Sequence, residues 1–311
     1  MNKKVIVTGS SGMLGTELVS DLQGSFAVTG IDQVKGRSPV RAVGFERCDI
    51  TDRGQTVSVI KKVCPDIVIH TAAWTDVDGC ELDKEKALRV NGEGTLNVAL
   101  GARETNAVMI YVSTDFIFDG MGKDPYKEDD RPNPVNAYGL SKLKGEEAVR
   151  KTLDRYLILR TSWLFGKHGK NFVDIILAKA EEERELRVVM DQFGCPTYAK
   201  DLTEAILEMI NLLTKNKTFA GTVHFCNGGS CTWFRYAEEI LRLSGKSDRK
   251  IIPITSAELN RAAERPSMSM LSTEKYGSLT GNSPREWSGA LKDYISGELG
   301  LKEYDVRNFK R

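Results

Sequence analysis

Short apolar runs alternate along the first half of the chain with longer segments whose apolar residues recur at helical spacing. The runs are rich in β-branched residues, as is typical of strands that a parallel sheet buries on both faces. They predict strands at residues 4–8, 27–31, 67–70, 108–113 and 156–160. Helices are predicted at residues 13–23, 51–63, 84–104 and 137–153. This alternation predicts an α/β fold with a Rossmann-like, doubly wound parallel sheet and right-handed crossovers.

The regular alternation weakens after about residue 160, where loops are predicted around residues 166–170, 193–196 and 227–230. Residues 246–272 read as irregular. We therefore predict a dinucleotide-binding domain at residues 1–165 and a smaller, loop-rich, mainly substrate-binding region at residues 166–311. Helices predicted at residues 202–213 and 234–243 could return to the first domain. Parts of residues 190–245 would then join it, and the boundary would be discontinuous in sequence.

Composition and net charge limit the kinds of molecule that the protein is expected to bind. The 311 residues are 41% hydrophobic and 28% charged, which is ordinary for a globular protein. Forty-four Lys and Arg against 43 Asp and Glu leave a net charge of +1, so neither nucleic acid nor an anionic membrane is favoured. The six cysteines form no C-x-x-C pair and predict reduced, structural thiols and no metal. Without a signal peptide or an apolar run near the ~20 residues of a membrane span, we expect a cytoplasmic protein.

A glycine-rich turn follows the first predicted strand. Gly9, Gly12 and Gly15 are spaced G-x-x-G-x-x-G, and Met13 and Leu14 open the next helix. The first glycine would permit the turn, the second a close approach to a pyrophosphate, and the third close packing of the helix on the strand. The anion would lie at the helix N-terminus. The spacing departs by one residue from G-x-G-x-x-G. Taken alone, the motif therefore fits a glycine turn that binds nothing as well as it fits a dinucleotide-binding turn.

The end of the second predicted strand carries the residues that bear on coenzyme choice. Asp32 lies where an acidic side chain accepts hydrogen bonds from the adenosine ribose, which favours NAD(H). Lys35, Arg37 and Arg41 follow closely and could bind a 2′-phosphate, which keeps NADP(H) open. The alternative reading of these three residues is a solvated loop.

Two further segments are candidates for cofactor contacts. Asp49 and Ile50 follow another possible strand, and Asp49 could reach the adenine or could cap the next helix. Thr71, Ala72 and Ala73 come after the third predicted strand and would place backbone against the middle of a dinucleotide. A tight helix contact is the alternative for these small residues.

The candidate reacting centre is a Y-x-x-x-K pair at the start of a predicted helix. Tyr138 and Lys142 would lie on one helical face, and Thr114 ends the predicted strand at residues 108–113. These residue types suit proton-coupled hydride transfer to a carbonyl, because a phenol supplies the proton only if its pKa falls from its usual ~10 toward neutrality. Lys142 would lower that pKa and could also hold the nicotinamide ribose, while Thr114 would donate to the carbonyl oxygen.

Asn91, in the predicted helix at residues 84–104, has two readings of equal weight. Its amide could keep a water in line for proton return. It could instead be a helix-interior amide bonded to backbone.

Seven segments together are more specific than either motif. They are residues 8–15, 65–78, 113–120, 132–139, 160–163, 191–197 and 263–266. At these segments, and over almost its full length, the chain resembles the extended short-chain dehydrogenase/reductases, most closely the branch of the dTDP-4-dehydrorhamnose reductases. The resemblance implies that NADPH or NADH reduces the C4 keto group of dTDP-4-dehydro-6-deoxy-L-mannose to dTDP-L-rhamnose.

The resemblance also assigns roles to single residues. It gives Thr114, Tyr138 and Lys142 the catalytic roles described above. It further implies that Thr75, Asp115 and Trp163 contact the substrate and that Arg265 clamps the nucleotide diphosphate. The residues expected at the reacting centre and the substrate are Thr75, Thr114, Asp115, Tyr138, Lys142, Trp163 and Arg265.

Some relatives dimerise through metal-bound glutamates, so a homodimer is an open expectation. Residues 181–183 and Glu185 are more simply read as a solvated helix face, and no metal is predicted. Cys195, Glu264 and Thr71 depart from the residues usual in the family and leave the identity of the nucleotide sugar open.

Two alternative functions are compatible with the sequence. A nucleotide-sugar epimerase or dehydratase would share the fold, although a dehydratase would place a second carboxylate where this chain has Phe116. The family also resembles a non-catalytic, dinucleotide-binding regulatory subunit of methionine adenosyltransferase. The intact set of Thr114, Tyr138 and Lys142 favours an enzyme.

Overall fold

A computed structural model describes residues 2–35 and 44–301. In chain order, the strands are β1 (Lys4–Thr8), β2 (Ala27–Asp32), β3 (Gly44–Arg47), β4 (Ile67–His70), β5 (Val108–Thr114), β6 (Tyr156–Thr161), β7 (Leu164–Phe165), β8 (Glu185–Val189), β9 (Phe193–Gly194), β10 (Thr197–Tyr198), β11 (Ala220–His224), β12 (Cys231–Thr232) and β13 (Lys250–Ile254). The α-helices are α1 (Met13–Leu22), α2 (Arg53–Val63), α3 (Val77–Leu82), α4 (Lys84–Ala87), α5 (Gly94–Glu104), α6 (Ala137–Thr152), α7 (Phe172–Glu182), α8 (Ala199–Lys215), α9 (Trp233–Leu243), α10 (Ser256–Leu259), α11 (Glu274–Thr280) and α12 (Trp287–Asp293).

The central element is a seven-stranded sheet with the order β11-β6-β5-β4-β1-β2-β3. Every neighbouring pair in it is parallel. The predicted Rossmann-like, doubly wound α/β fold is therefore confirmed, and all five predicted strands belong to this sheet. Of the two edge strands, β3 corresponds to the possible strand before Asp49, which was predicted without bounds, and β11 was not predicted.

The predicted helices are present with two changes. The helix predicted from residue 51 begins at Arg53, because the Asp52 side chain caps it by accepting from the Gln55 amide. The helix predicted at residues 84–104 is interrupted by a π-helical segment, Leu88–Glu93. A π segment adds one residue to a helical turn, which a count of apolar spacing does not reveal.

Each face of the sheet packs against helices. On one face, α1 and α8 bury Leu14, Leu18 and Ile206 against alternate residues of the strands. On the other face, α2, α5 and α6 cover Ile6 and Tyr111 with their neighbours. Helix α8 and strand β11 thus return from the second half of the chain to the first core.

A second core lies beside the sheet and contains residues from α7, α9, α12, β8 and β13. Helix α9 packs in this second core, unlike α8. The prediction that residues 246–272 are irregular is wrong for part of this stretch, because Lys250–Ile254 form β13 and pair in parallel with β8. Pro253 is tolerated there because this sheet has two strands, each with an unpaired edge. Within the described ranges, no helix combines the length and apolarity needed to cross a membrane.

Candidate active site

A cleft of about 560 Å³ opens at the carboxyl ends of β1, β4, β5 and β6. Thirteen of the residues predicted to form the site line it: Gly9, Gly12, Met13, Leu14, Gly15, Thr71, Ala73, Thr75, Thr114, Asp115, Tyr138, Lys142 and Trp163. The lining also includes residues that the sequence analysis did not single out, among them Ser113, Lys170 and Trp233. Ligands of doubly wound sheets bind at this edge, so the cleft is the candidate active site.

The glycine turn is built for close approach of backbone. Gly9 has a φ of +67°, and a Cβ there would lie 2.7 Å from the Ala72 nitrogen. A Cβ on Gly15 would lie 2.0 Å from the Gly9 carbonyl oxygen, so α1 meets the turn with no room for a side chain. Gly12 is the N-cap residue of α1 and offers no side-chain cap, which leaves amide donors of the first turn to bind an anion. This cradle fits the pyrophosphate of a dinucleotide.

Asp32 lies at the end of β2 beside this turn, outside the cleft lining. Its Oδ2 accepts from the Ser11 amide at 3.0 Å, and its Oδ1 accepts from the Gln33 amide at 2.8 Å. The carboxylate is therefore held next to the glycine turn. Of the three basic residues considered for a 2′-phosphate, Lys35 lies with its Nζ 5.8 Å from the Phe45 ring centroid. Arg37 and Arg41 lie outside the described residues.

The structure contradicts one of the two readings of Asp49, and the cofactor contacts of Asp49 and Ile50 stay predictions. Asp49 Oδ1 accepts from the amide and hydroxyl of Thr51 at 2.9 and 2.8 Å, and Asp52 is the residue that caps α2. The capping interpretation of Asp49 is therefore wrong. Ile50 is buried against the start of α5, where a Cβ on Gly94 would lie 2.8 Å from its Cδ1. Neither residue lines the cleft.

The segment after β4 lies against the glycine turn. Thr71 Oγ1 donates to the Thr8 carbonyl at 2.7 Å, and the Ala72 amide donates to Thr8 Oγ1 at 3.3 Å. Thr71 and Ala73 face the cleft, whereas Ala72 packs under Gly9. The two chain segments thus form one continuous backbone wall.

Asn91 is a buried amide bonded to backbone. Its Oδ1 accepts from the Trp74 amide at 2.8 Å, and its Nδ2 donates to the Trp74 carbonyl at 3.0 Å and to Ser141 Oγ at 2.9 Å. Both amide protons are therefore used within the protein. The side chain is absent from the cleft lining, and the structure favours the backbone-bonded reading over a water relay.

Helix α6 brings Tyr138 and Lys142 to the end of β5. Asn136 caps the helix by accepting from the Gly139 amide at 2.8 Å. A Cβ on Gly139 would lie 2.0 Å from the Phe116 carbonyl oxygen, so this glycine lets the helix approach the strand end. Thr114 closes β5 beside them, which completes the predicted convergence of three side chains in one cleft.

The protonation of this group departs from the sequence-based expectation. Burial raises the pKa of Tyr138, against the opposing effect of the Thr114 hydroxyl. Burial also lowers the pKa of Lys142 to about 7, although the Glu146 charge opposes that shift. The Lys142 ammonium donates to the Val112 carbonyl at 2.8 Å. The expected lowering of the Tyr138 pKa is therefore absent in this structure, because burial is the largest influence on that pKa and raises it.

Asp115 is a buried carboxyl group in the cleft. Its Oδ1 accepts from Thr114 Oγ1 at 3.0 Å, whereas Oδ2 is buried without a hydrogen-bond donor in the described part of the chain. Burial raises the pKa of Asp115 to about 7, against the nearby hydroxyls of Ser269 and Thr114. An acid that is partly protonated near neutrality can donate as well as accept a hydrogen bond.

Trp163 is held between an aromatic ring and a glycine. Its ring stacks on that of Trp233 with centroids 3.5 Å apart and planes inclined by 8°. A Cβ on Gly194 would lie 2.4 Å from Trp163 Cε2, and Trp233 Nε1 donates to Gln192 Oε1 at 3.1 Å. Trp163 also has a φ of +44°, a strained conformation for a side chain of this size. The sequence analysis did not identify Trp233 as a site residue. The signal that could have indicated it is its position between a predicted loop and a predicted helix.

The interpretation of Arg265 as a free diphosphate clamp does not fit the structure. Its Nη1 and Nη2 donate to the two carboxylate oxygens of Asp78 at 2.6 and 2.8 Å. Asp78 also accepts from Arg261 at 3.0 Å and from the Ala263 amide at 3.1 Å. Arg265 therefore fastens its loop to α3 and does not line the cleft.

The glutamate run is only partly helical, contrary to the prediction of a helix face. Residues 181–182 end α7, whereas Glu185 begins β8. Lys246 pairs with Glu181 at 2.7 Å, and Lys250 pairs with Glu185 at 3.0 Å. Among residues 2–35 and 44–301, no cluster of three or more His, Cys, Asp or Glu could hold a metal ion.

The parallel sheet, the glycine cradle and the Thr-Tyr-Lys cleft define the class of the NAD(P)-dependent short-chain dehydrogenase/reductases. Comparison with known proteins agrees with this class. The model of the RmlD substrate-binding domain family matches residues 3–299. The chain belongs to this family.

Individual relatives cover almost the whole chain. The spore coat polysaccharide biosynthesis protein SpsK of Bacillus subtilis is 37% identical over 94% of this chain and 96% of its own length. The dTDP-4-dehydrorhamnose reductase of Streptomyces griseus is 36% identical over 93% of this chain and 91% of its own. The crystal structure of dTDP-4-dehydrorhamnose reductase from Bacillus anthracis in complex with NADP is 34% identical, with a TM-score of 0.84, and covers 95% of this chain and 99% of that one.

Proposed function

We propose that the protein reduces the C4 keto group of dTDP-4-dehydro-6-deoxy-L-mannose to give dTDP-L-rhamnose, with NADPH or NADH as the reductant. The observation that carries the proposal is the convergence of Thr114, Tyr138 and Lys142 in the cleft that also contains the glycine cradle. The names of the B. anthracis and S. griseus relatives supply the substrate. The B. anthracis structure contains NADP.

The residues of the cofactor side would bind and orient the dinucleotide. The glycine turn and the amide groups of α1 would hold the pyrophosphate, and Asp32 would accept from the adenosine ribose. Lys142 would donate to the nicotinamide ribose. The reduced nicotinamide, when bound, supplies a hydride to the keto carbon.

The residues of the reacting centre would transfer a proton to the keto oxygen and stabilise the charges that form. Tyr138 would give its phenolic proton to the keto oxygen as negative charge develops there, and the resulting tyrosinate would be stabilised by the Lys142 ammonium. Thr114 would donate a hydrogen bond to the same oxygen. The hydride and this proton together convert the ketone to the alcohol.

The substrate would lie between the reacting centre and the second core. Thr75, Asp115 and Trp163 line the cleft and would contact the sugar. Arg265 is left out of this set because Asp78 holds both its terminal nitrogens.

We also propose residues 1–165, joined by parts of residues 190–245, as the dinucleotide-binding domain and residues 166–311 as mainly substrate-binding. The packing of α8 on α1 supports this division.

The test is loss of the nicotinamide absorbance when the keto-sugar is generated in situ and NADPH and NADH are supplied in parallel. Stoichiometric oxidation with formation of dTDP-rhamnose is expected from one or both coenzymes. Tyr138→Phe should lower kcat by roughly 10²–10⁴-fold and leave coenzyme binding intact. Tyr156→Phe, at the opposite end of β6, is the matched control and should leave kcat unchanged. Near-normal turnover by Tyr138→Phe would refute the role of the phenol.

We further propose a cytoplasmic location, and the resemblance leads us to propose a homodimer. Light scattering after gel filtration gives the mass in solution, to be compared with that of one chain. A mass that corresponds to one chain at micromolar concentration would exclude the dimer.

A further inference from the structure

The side chain of Tyr111 lies directly beneath the ammonium group of Lys142. The Nζ atom is 4.3 Å from the centroid of the Tyr111 ring, and it donates to the carbonyl of Val112, the next residue of β5. Tyr111 is fully buried and Lys142 is 3% exposed. An ammonium over an aromatic face at this distance is attracted by the negative face of the ring.

The hydroxyl of the same residue fixes the helix that carries the lysine. Tyr111 Oη donates to the Lys142 carbonyl at 3.3 Å. A Cβ on Gly145 would lie 2.4 Å from that hydroxyl oxygen and 2.7 Å from the Asn91 carbonyl oxygen. Gly145 therefore leaves the space in which the Tyr111 hydroxyl meets α6. One side chain thus contacts both ends of Lys142, its backbone and its charge.

A second layer supports the ring from below. His70 stacks on Tyr111 with centroids 5.4 Å apart and planes inclined by 20°. Its Nδ1 is 2.6 Å from Thr8 Oγ1, and its Nε2 is 3.0 Å from Thr95 Oγ1. Burial lowers the pKa of His70 to about 3, with a smaller contribution from Lys142, so the imidazole is neutral at pH 7. This layer fixes the ring without placing a second cation under the lysine.

We propose that Tyr111 is a positioning residue for Lys142, whose ring holds the ammonium at the carboxyl end of β5 and whose hydroxyl fixes the backbone of α6. The inference rests on the proposed function for its consequence in turnover, because Lys142 acts there through the nicotinamide ribose and Tyr138. The position and charge of Lys142 that we infer do not depend on the proposed function.

The charged and titratable neighbours of Lys142 determine how the proposal is tested. Glu146, one turn further along α6, favours the charged lysine, whereas burial disfavours it. Tyr138 precedes it by one turn, and His70 lies beyond the Tyr111 ring on β4. Because Lys142 titrates near neutrality, loss of the ring's attraction would lower its pKa and remove charge at working pH.

The experiment is a set of replacements that separates the ring from the hydroxyl. Tyr111→Phe keeps the ring, and Tyr111→Leu removes it. 3,4,5-Trifluorophenylalanine at position 111 keeps the size of the Phe ring but weakens its negative face. The pKa of Lys142 is read by NMR of selectively labelled lysine side chains, with Lys142→Arg used for assignment, and coenzyme affinity is read by nicotinamide fluorescence.

The proposal predicts a graded result. The Lys142 pKa should change little in Tyr111→Phe and should fall in the fluorinated and Leu variants, by roughly half to one and a half units for Leu. The alkaline limb of the kcat/KM profile should move to lower pH by the same amount. The reverse order, or an unchanged Lys142 pKa in a folded Leu or fluorinated variant, would overturn the proposal. If the Tyr111→Leu variant does not fold, the Lys142 pKa of the Phe variant is compared with that of the trifluorophenylalanine variant, and this comparison tests the role of the ring.

The readouts distinguish this inference from the proposed function. If the wild-type protein does not oxidise NADPH or NADH with the keto-sugar, the proposed function fails while the NMR titration still tests Tyr111. If turnover occurs and the ring has no effect on the Lys142 pKa, the proposed function stands and the positioning role of Tyr111 is wrong.

Discussion

Glu146 is the buried charge whose removal should do most damage to the sheet next to the cleft. The residue is fully buried, and its Oε1 accepts from Ser113 Oγ at 2.7 Å and from Arg160 Nε at 2.9 Å. Its Oε2 accepts from Arg160 Nη2 at 2.9 Å and from Arg150 Nη2 at 2.8 Å. Glu146→Gln keeps the shape of the side chain but removes the charge that this network requires.

The expected loss follows from what remains around Arg160. That guanidinium is 1% exposed, and its Nη1 also contacts the Glu128 carbonyl and His224 Nε2, both at 3.2 Å. Burial lowers the pKa of His224 to about 3, so both remaining partners are neutral at pH 7. Breaking a buried ion pair from one side costs about 3–5 kcal/mol, because an uncompensated charge stays in the core. We expect Glu146→Gln to lower the free energy of unfolding by that amount.

The pH dependence has a defined sign. Burial raises the pKa of Glu146, but the hydrogen bonds and charge of Arg160 outweigh it and hold that pKa below its usual value. The stabilisation is thus present above the unfolded pKa of about 4.3 and is lost as the pH falls through the folded pKa. The difference between wild type and variant should be largest near neutrality and should shrink in acid.

Urea unfolding at pH 7 with equal m values measures the difference. Glu147→Gln is the matched control on the same helix, because Glu147 is 36% exposed and pairs with Lys144 at 3.0 Å. An exposed pair contributes about 0–1 kcal/mol. A loss below about 1 kcal/mol for Glu146→Gln, or an equal loss for the control, would refute this reasoning.

Three further predictions concern the cleft and its rim. Trp233→Leu should abolish the exciton signal of the stacked pair in far-ultraviolet circular dichroism and raise the substrate KM several-fold, since Trp163 loses a ring contact worth about 0.5–1.5 kcal/mol; an unchanged KM would separate the stack from substrate binding. Asp78→Asn should release Arg265 and speed proteolysis of the loop around residues 261–266, and unchanged cleavage would mean that other contacts hold the loop. Gly15→Ala should abolish coenzyme binding in fluorescence titration, because its Cβ would meet the Gly9 carbonyl at 2.0 Å; wild-type affinity would contradict the tight turn.

The sheet was predictable where burial on both faces dictates an apolar strand. Residues such as Val5–Val7 of β1 or Ile67–Ile69 of β4 have no polar position because helices cover both sides. Edge strands lack that constraint. Strand β3 contains one large apolar residue, Phe45, and β11 begins with Ala220 and Gly221. Their pairing depends on long-range contacts, so the local pattern gave no bounds for β3 and did not reveal β11.

Contacts between distant residues explain the errors at the rim of the site. Arg265 looked free because its partner Asp78 lies 187 residues earlier in the chain. Trp233 and Trp163 come from different segments and meet only when the second core forms. No local spacing contains either pair.

Lys142 shows why a motif that correctly placed two side chains in one cleft predicted the wrong electrostatics. The i, i+4 spacing placed Tyr138 and Lys142 on one helical face, and both do line the cleft. The expectation of a lowered Tyr138 pKa assumed a fully charged lysine, yet burial brings the pKa of Lys142 itself down to about 7. The charge of Lys142 therefore depends on Glu146 one turn along and on the Tyr111 ring beneath it. Both belong to elements that the short motif does not include, so the strength of Lys142 as an electrostatic partner for Tyr138 is a property of the packing of β5 against α6.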